Sequence, residues 1–203
     1  MARDRASRPQ ARPLRLFVAT DLPEDVRELV REVVAPIRER HPKARWVPAQ
    51  NQHVTLKFLG STWPRLVGHV TRTTGEVAAR HPAFETRVTE LGAFPSVRRA
   101  RVLWVALDDP AHRLEAIAAS LDEALARDFP PEKRAFTPHL TVARFDPAVS
   151  IEDEIESRGV GSRPFPVDRI VLYRSHLRRP APIYEDVASF PLAGSAGAGG
   201  IAR

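Results

Sequence analysis

The chain has 203 residues, of which 43% are hydrophobic, and its formal net charge at pH 7 is +6. This length and apolar content suit one domain or two small lobes folded together, and no apolar run is long enough to span a membrane. The absence of cysteine excludes disulfides, thiolate nucleophiles and cysteine metal sites, and we expect a cytoplasmic protein.

The excess of basic residues is concentrated at the N-terminus. Residues 1–13 hold four Arg and one Asp, and this polar composition predicts a disordered basic tail. Residues 193–203 are rich in Gly, Ala and Ser, which predicts a second, flexible tail. The chain between the tails, residues 14–192, is expected to form a single two-lobed domain. Because little of the net charge lies in this domain, the charge is weak evidence for a protein that coats nucleic acid.

The first half of the chain begins with a predicted strand over Leu14–Thr20. Asp21 is interpreted as the N-cap of the following helix, in a capping box with Glu24. That helix carries an apolar stripe, and Pro36 is expected to kink or shorten its end. The other elements predicted in this half are a strand over His53–Leu59 that Gly60 ends, a helix over Arg65–Arg80, and strands over Phe84–Leu91 and Val102–Leu107.

The second half repeats this order of elements. Its first helix follows Asp108-Asp109-Pro110 and has apolar residues at helical spacing. The later elements predicted in this half are a strand over His139–Phe145, a short helix capped by Ser150, and strands over Phe165–Leu177 and Ile183–Leu192.

The repeated order predicts the fold class. Two similar halves, each with strands and helices, indicate a duplicated, two-lobed α+β fold. We expect two antiparallel sheets that face each other across a central cleft, with the helices on the outside. Approximate two-fold symmetry would then bring the equivalent strands of the two halves together.

Two four-residue segments stand at equivalent places in the halves, and each has the order His, apolar, Thr, apolar. They are His53-Val54-Thr55-Leu56 and His139-Leu140-Thr141-Val142. Because side chains alternate along a strand, each segment predicts an imidazole and a hydroxyl on one face and a buried apolar pair on the other. The alternative is two ordinary half-buried strands, each with a structural histidine.

Two histidines and two threonines around one cavity suit a displacement at phosphorus. One imidazole can take a proton from the attacking group while the other gives one to the leaving group. The hydroxyls can donate hydrogen bonds to oxygens where negative charge builds up. A zinc site is the alternative, but no spacing supports a third ligand, and no glycine-rich phosphate loop or dinucleotide motif is present. We therefore expect neither a metal nor a cofactor.

These residues resemble the 2H phosphoesterase superfamily, and more narrowly the bacterial and archaeal RNA 2',3'-cyclic phosphodiesterases, also called 2'-5' RNA ligases. The resemblance extends from about Arg15 to Leu192. Beyond the two motifs, it rests on segments that occur in the same order: Arg15-Leu16-Phe17-Val18-Ala19, Asp21-Leu22-Pro23, Phe58-Leu59-Gly60, Leu91–Leu107 and Leu172-Tyr173-Arg174-Ser175.

The resemblance implies a substrate and a role for each motif residue. The substrate would be RNA or a nucleotide with a 2',3'-cyclic phosphate, opened by water to a 2'-phosphate, and a related reaction would join a 5'-hydroxyl in a 2'-5' linkage. His53 would be the proton donor and His139 the proton acceptor, while Thr55 and Thr141 would hold phosphate oxygens. The two motifs alone leave open which histidine is the acid.

The resemblance also associates the position five residues after each histidine with the nucleobase. Phe58 and Arg144 occupy these positions, where a flat ring and a guanidinium can stack on a base. An odd offset points away from the histidine face, so this role requires a twist or a bulge near the strand end. Otherwise Phe58 belongs to the core and Arg144 is a surface charge. Lys57 has the parity to face the cleft and is a candidate phosphate contact.

Two other functions remain open at this point. One is an RNA-binding module without turnover, although binding alone needs no pair of titratable side chains. The other is a related 2H enzyme that acts on another cyclic phosphate or on oligoadenylate. In each case we expect a monomer.

Overall fold

The computed structural model describes residues 12–109, 111–155, 159–179 and 181–195. Most of the two predicted tails, residues 1–11 and 196–203, lies outside the described residues. The described strands are β1 Leu14–Asp21, β2 Arg45–Trp46, β3 His53–Thr62, β4 Phe84–Thr86, β5 Val88–Phe94, β6 Ala100–Leu107, β7 His139–Val149, β8 Phe165–Val167, β9 Arg169–His176 and β10 Ile183–Pro191. The described helices are α1 Glu24–Arg40, α2 Pro64–Ala78, α3 Arg113–Leu125 and α4 Glu152–Ile155, with 3₁₀ turns at Ala49–Asn51 and Val97–Arg99.

The predicted α+β fold with duplicated halves is confirmed. One half of the sheet has the strand order β10-β9-β1-β3, and the other has β7-β6-β5 with β2 also paired to β7. All of these pairs are antiparallel. The two predicted sheets are halves of one eight-stranded sheet, which β3 and β7 join through the single pair Val54–Leu140. A separate ribbon of β4 and β8 completes the strands of the described residues.

The main core lies between one face of this sheet and the helices. The predicted stripe of α3 is buried, and α1 buries Val26, Val30, Val34 and Ile37 on the same side as Val54 and Leu140. The opposite face carries a smaller buried cluster of Phe17, Ala19, Val171 and Tyr173. In the described residues, no helix combines the length and the apolar character that crossing a bilayer requires.

The interpretation of Asp21 as a helix cap is wrong. Helix α1 begins at Glu24 with Pro23 at the N-cap position, and no side chain caps it. Asp21 is the last residue of β1, and its carboxylate accepts a hydrogen bond from the Tyr173 hydroxyl at 2.7 Å. The extended conformation of Pro23 separates the strand end from the helix start, so Asp21 is too early to cap α1. Pro36 does not end the helix, which continues to Arg40.

Two glycines occupy positions that larger residues would disturb. Gly60 has a φ of +63° where the β1–β3 register shifts, so β3 continues to Thr62 instead of ending there as predicted. Gly92 pairs with Trp104 between β5 and β6, and a Cβ built on Gly92 would lie 2.2 Å from two atoms of the indole ring. The missing side chain thus lets Trp104 lie flat across the neighbouring strand.

Gly92→Ala is expected to destabilise the protein by about 1–3 kcal/mol, because the methyl group would displace the Trp104 ring. The matched control is Gly68→Ala in α2, where nothing lies within 4 Å of the added carbon, and where a gain of about 0.5–1 kcal/mol is expected from helix propensity. Urea unfolding of the two variants measures both effects. Equal stabilities would contradict the close approach of Trp104 to Gly92.

Candidate active site

The two motifs meet at the centre of the sheet. Val54 and Leu140 face each other on adjacent antiparallel strands, and both are buried on the helix side. Their neighbours in each strand therefore project from the opposite face. The register that this pair sets puts His53 across from Thr141 and Thr55 across from His139. The structure thus brings the four motif side chains together around a local two-fold axis.

The same backbone device orients both imidazoles. The Nδ1–H of His53 donates to the carbonyl oxygen of Asn51 at 2.8 Å, and the Nδ1–H of His139 donates to that of Thr137 at 2.7 Å. In each case the acceptor is two residues before the histidine. Because a carbonyl oxygen can only accept, the proton of a neutral ring stays on Nδ1, which leaves Nε2 as the atom that exchanges protons.

The threonine of the first motif contacts its histidine directly. The Thr55 hydroxyl lies 3.1 Å from Nε2 of His53. In the second motif, Thr141 lies opposite Trp104 in the β6–β7 register. Each hydroxyl shares the sheet face of the histidine in its own motif, where it can donate to an anionic group bound between the strands.

Aromatic side chains surround His53. Its ring stacks on Phe17 at 4.8 Å between centroids and meets the edge of Tyr184 at 5.3 Å, with Tyr173 at 6.3 Å. Burial in this group lowers the pKa of His53 below its usual range. The hydrogen bond to Asn51 and the charge of Asp21 partly oppose this decrease in the pKa, while the charges of Arg27 and His139 add to it.

His139 has different neighbours. Phe94 meets its ring edge-on at 5.3 Å, and Trp104 lies at 6.3 Å. Phe94 is 37% exposed, so this side of the site is more open than the Phe17 side. Two equivalent strands thus hold equivalent histidines in unequal surroundings.

A bulge in each motif strand determines which later side chains share the histidine face. Leu56 is an extra, unpaired residue of β3 in its pairing with β1, and Val142 is an extra, unpaired residue of β7 in its pairing with β6. Each bulge reverses the alternation, so that the fifth residue after the histidine returns to the open face. Phe58 is accordingly 59% exposed, with its ring 6.3 Å from that of Phe17, and Arg144 is exposed.

The prediction that Lys57 faces the cleft is wrong. Its side chain is 1% exposed, and its ammonium donates to the Asp122 carboxylate of α3 and to the Pro130 carbonyl oxygen at 3.2 Å. The bulge at Leu56 turns Lys57 to the helix side of the sheet. Unbroken alternation, which the prediction assumed, would have placed it beside the histidines.

The aromatic and acidic side chains around His53 were not among the site residues predicted from the sequence. Phe17 and Asp21 share the face of β1 that is opposite to the core residues Leu16 and Val18, so strand alternation contained the signal. Tyr173 and Tyr184 come from β9 and β10, and only the sheet order brings these strands near β1. Across the part of the chain that the structure describes, no three His, Asp or Glu side chains form a group that could hold a metal ion.

Comparisons with known proteins cover most of the chain. The family model of the 2'-5' RNA ligase superfamily matches residues 16–179. An RNA 2',3'-cyclic phosphodiesterase of Methanothermobacter thermautotrophicus is 30% identical over 88% of the chain and 99% of its own length. A protein of the same name from Geobacillus stearothermophilus is 28% identical over 88% of the chain, which spans 57% of that relative's length.

A solved structure extends the likeness to the fold. The crystal structure of E. coli LigT complexed with 3'-AMP superposes with a TM-score of 0.71 at 28% identity, covering 89% of this chain and 99% of that one. The similarity therefore includes both halves of the sheet and the strands that hold the histidines.

Removing the counter-charge of Lys57 is expected to cost more stability than removing Lys57 itself. Asp122→Asn leaves a buried ammonium without its carboxylate and should destabilise the protein by about 3 kcal/mol, whereas Lys57→Met should change stability by roughly 1 kcal/mol or less. Urea unfolding measures both variants, and the double variant should recover most of the loss. If Asp122→Asn instead leaves stability unchanged and Lys57→Met weakens binding of a nucleotide, Lys57 contacts phosphate and the buried ion pair is contradicted.

Proposed function

The chain belongs to the 2'-5' RNA ligase superfamily, and from this membership we propose that it hydrolyses the 2',3'-cyclic phosphate of an RNA end or nucleotide to a 2'-phosphate by histidine acid–base catalysis without a metal ion. The curated relatives that bear the name RNA 2',3'-cyclic phosphodiesterase support this substrate class. The observation that carries the mechanism is the shared orientation of the two imidazoles, since both fix Nδ1–H on a backbone carbonyl and leave Nε2 for proton transfer.

The proposed step is an in-line displacement. Nε2 of His139 takes a proton from water as the water oxygen bonds to phosphorus. The bond between phosphorus and the 3'-oxygen breaks, and the protonated Nε2 of His53 gives its proton to that oxygen. The product carries a 2'-phosphate and a 3'-hydroxyl, with His53 left deprotonated and His139 left holding the proton that it took from water. A 5'-hydroxyl in place of water gives a 2'-5' linkage by the same route.

Thr55 and Thr141 stabilise the negative charge of this step. Each hydroxyl lies on the histidine face, and the two flank the Val54–Leu140 pair from opposite strands. A phosphate seated over this pair receives a hydrogen bond from each hydroxyl at its non-bridging oxygens, where charge increases in the transition state. Both motifs come from one chain, so the mechanism needs no second copy.

Phe58 and Arg144 hold the nucleobase in this proposal. The two bulges that return them to the histidine face support the role, and the open ring of Phe58 offers a stacking surface that does not depend on base identity. The positive charge of Arg144 lowers the pKa of Tyr184, against the increase that burial causes. Because the Tyr184 ring contacts His53, the guanidinium of Arg144 lies near the first motif as well as the second.

His53→Ala and His139→Ala are each expected to lower hydrolysis of nucleoside 2',3'-cyclic monophosphates by at least about a hundredfold, because each removes one proton transfer. The assay is run in excess EDTA, with the product isomer identified by chromatography. His176→Ala, at the end of β9, is the matched control and should retain activity.

The outcomes separate the competing functions. A 2'-phosphate product in EDTA supports the proposal, whereas a 3'-phosphate reverses the assignment of the bond that breaks. Variants that bind RNA but hydrolyse at the wild-type rate contradict histidine catalysis. A wild-type protein that binds RNA ends and turns over neither nucleotides nor RNA is a binding module, and turnover of oligoadenylate or another cyclic phosphate alone indicates a related 2H enzyme.

Phe58→Ala and Arg144→Ala are expected to raise KM by about tenfold and to change kcat less, since stacking holds the base in the ground state as well as the transition state. Trp63→Ala, an exposed aromatic residue just beyond the same strand, is the control for Phe58. Initial rates on the four cyclic nucleotides give both constants. A decrease in kcat alone would assign these residues to the chemical step.

A further inference from the structure

The two motifs are equivalent in sequence and backbone, so the chemical difference between them must come from their neighbours. The strand paired with each motif shows one such difference. On the β1 side, Asp21 pairs with His53, and on the β6 side, Ala106 pairs with His139. These partners occupy equivalent places, because Ala19 pairs with Thr55 and Trp104 with Thr141 two residues earlier. A carboxylate therefore stands beside one histidine and a methyl group beside the other.

Asp21 lies on the histidine face of the sheet. Directly paired residues of antiparallel strands place their Cβ atoms about 4.5–5.5 Å apart on the same side. Phe17, four residues before Asp21 in β1, stacks on the His53 ring from that side. The carboxylate is thus a cross-strand neighbour of the imidazole.

Two side chains hold this carboxylate in place. The Tyr173 hydroxyl of β9 donates to Oδ1 of Asp21 at 2.7 Å, and Nη2 of Arg27 in α1 lies 4.0 Å from the same oxygen. Burial and the neighbouring carboxylate raise the pKa of Tyr173, so its hydroxyl remains a donor throughout the physiological range. Tyr173 also packs on Phe17 at 5.2 Å between ring centroids, which ties the carboxylate to the aromatic group around His53.

Charged and titratable groups face His53 from several elements. They are the Asp21 carboxylate of β1, the Arg27 guanidinium of α1, the His139 imidazole of β7, and the phenols of Tyr173 in β9 and Tyr184 in β10. Arg144 of β7 adds positive charge near Tyr184. Within this set, Asp21 is the group that favours a protonated imidazole.

We propose that Asp21 is a positioning residue that allows the buried His53 to serve as the proton donor, by placing a carboxylate held by Tyr173 across the strand from the imidazole. This inference rests on the proposed function and deepens it, because it supplies a physical reason for an assignment that the symmetric motifs leave open. The buried His53 otherwise favours its neutral form, which cannot donate from Nε2. With the carboxylate present, a larger fraction of the enzyme holds the proton that the departing 3'-oxygen requires.

The test is Asp21→Asn, which keeps the size of the side chain and an oxygen for the Tyr173 hydroxyl but removes the charge. The imidazole of His53 is titrated by ¹H–¹⁵N NMR in the free protein, and kcat/KM is measured across the same pH range. We expect the titration midpoint of His53 to decrease by about one pH unit while that of His139 changes much less. At pH 7.5, kcat/KM should decrease by up to about tenfold, because fewer molecules carry the proton on His53.

Three further variants make the result specific. Asp168→Asn removes an exposed carboxylate paired with Arg169 in the same half of the sheet and should leave both midpoints and the rate unchanged. Asp21→Glu should restore part of the shift. Tyr173→Phe keeps the charge of Asp21 and should move the His53 midpoint less than Asp21→Asn does. An equal shift in Tyr173→Phe would assign the effect to the hydrogen bond instead of the charge and overturn the proposal.

The failure of this inference is distinguishable from failure of the proposed function. If the titration midpoint of His53 is unchanged in a folded Asp21→Asn variant, the proposed role of Asp21 is wrong, while histidine catalysis is unaffected. Hydrolysis by His53→Ala at the wild-type rate removes the catalytic proposal itself, whatever the titration shows.

Discussion

The site depends on one pair of residues, Val54 and Leu140, which joins the two halves of the sheet. Both side chains are buried against the helices, and this burial fixes which face of each strand turns away from the core. A slip of one residue in either strand would bury a histidine and expose an apolar side chain. The hydrophobic effect on one side of the sheet therefore sets the position of four polar groups on the other.

Strand alternation made much of this arrangement predictable from the sequence. It placed His53 with Thr55 and His139 with Thr141, and the repeated order of elements indicated a duplicated α+β fold. The bulges at Leu56 and Val142 were not predictable, because a bulge is a property of the pairing with β1 or β6 and not of the bulged strand alone. The error on Lys57 follows directly from this.

Asp21 shows a second limit of local patterns. An Asp before a helix with Glu three residues later fits a capping box, yet Pro23 occupies the N-cap position, and the carboxylate of Asp21 accepts a hydrogen bond from a tyrosine 152 residues away in sequence. A local sequence motif relates a residue only to residues that are close to it in the chain. The role of Asp21 depends instead on strands that are distant in sequence and adjacent in the sheet. For the same reason, the contact of Tyr184 in the edge strand β10 with the His53 ring could not be predicted from the sequence.

The single strand pair between the two half-sheets has a geometric consequence. A change in the angle between the half-sheets would leave Val54 and Leu140, where they are joined, nearly in place. His53 and His139 sit one residue from this pair, a lever arm of about 3.4 Å, whereas Phe58 and Arg144 sit four residues away, at about 13 Å. A given rotation therefore moves the outer groups about four times as far as the imidazoles. Such a change would therefore alter the distance between Phe58 and Arg144 far more than the spacing of the two histidines.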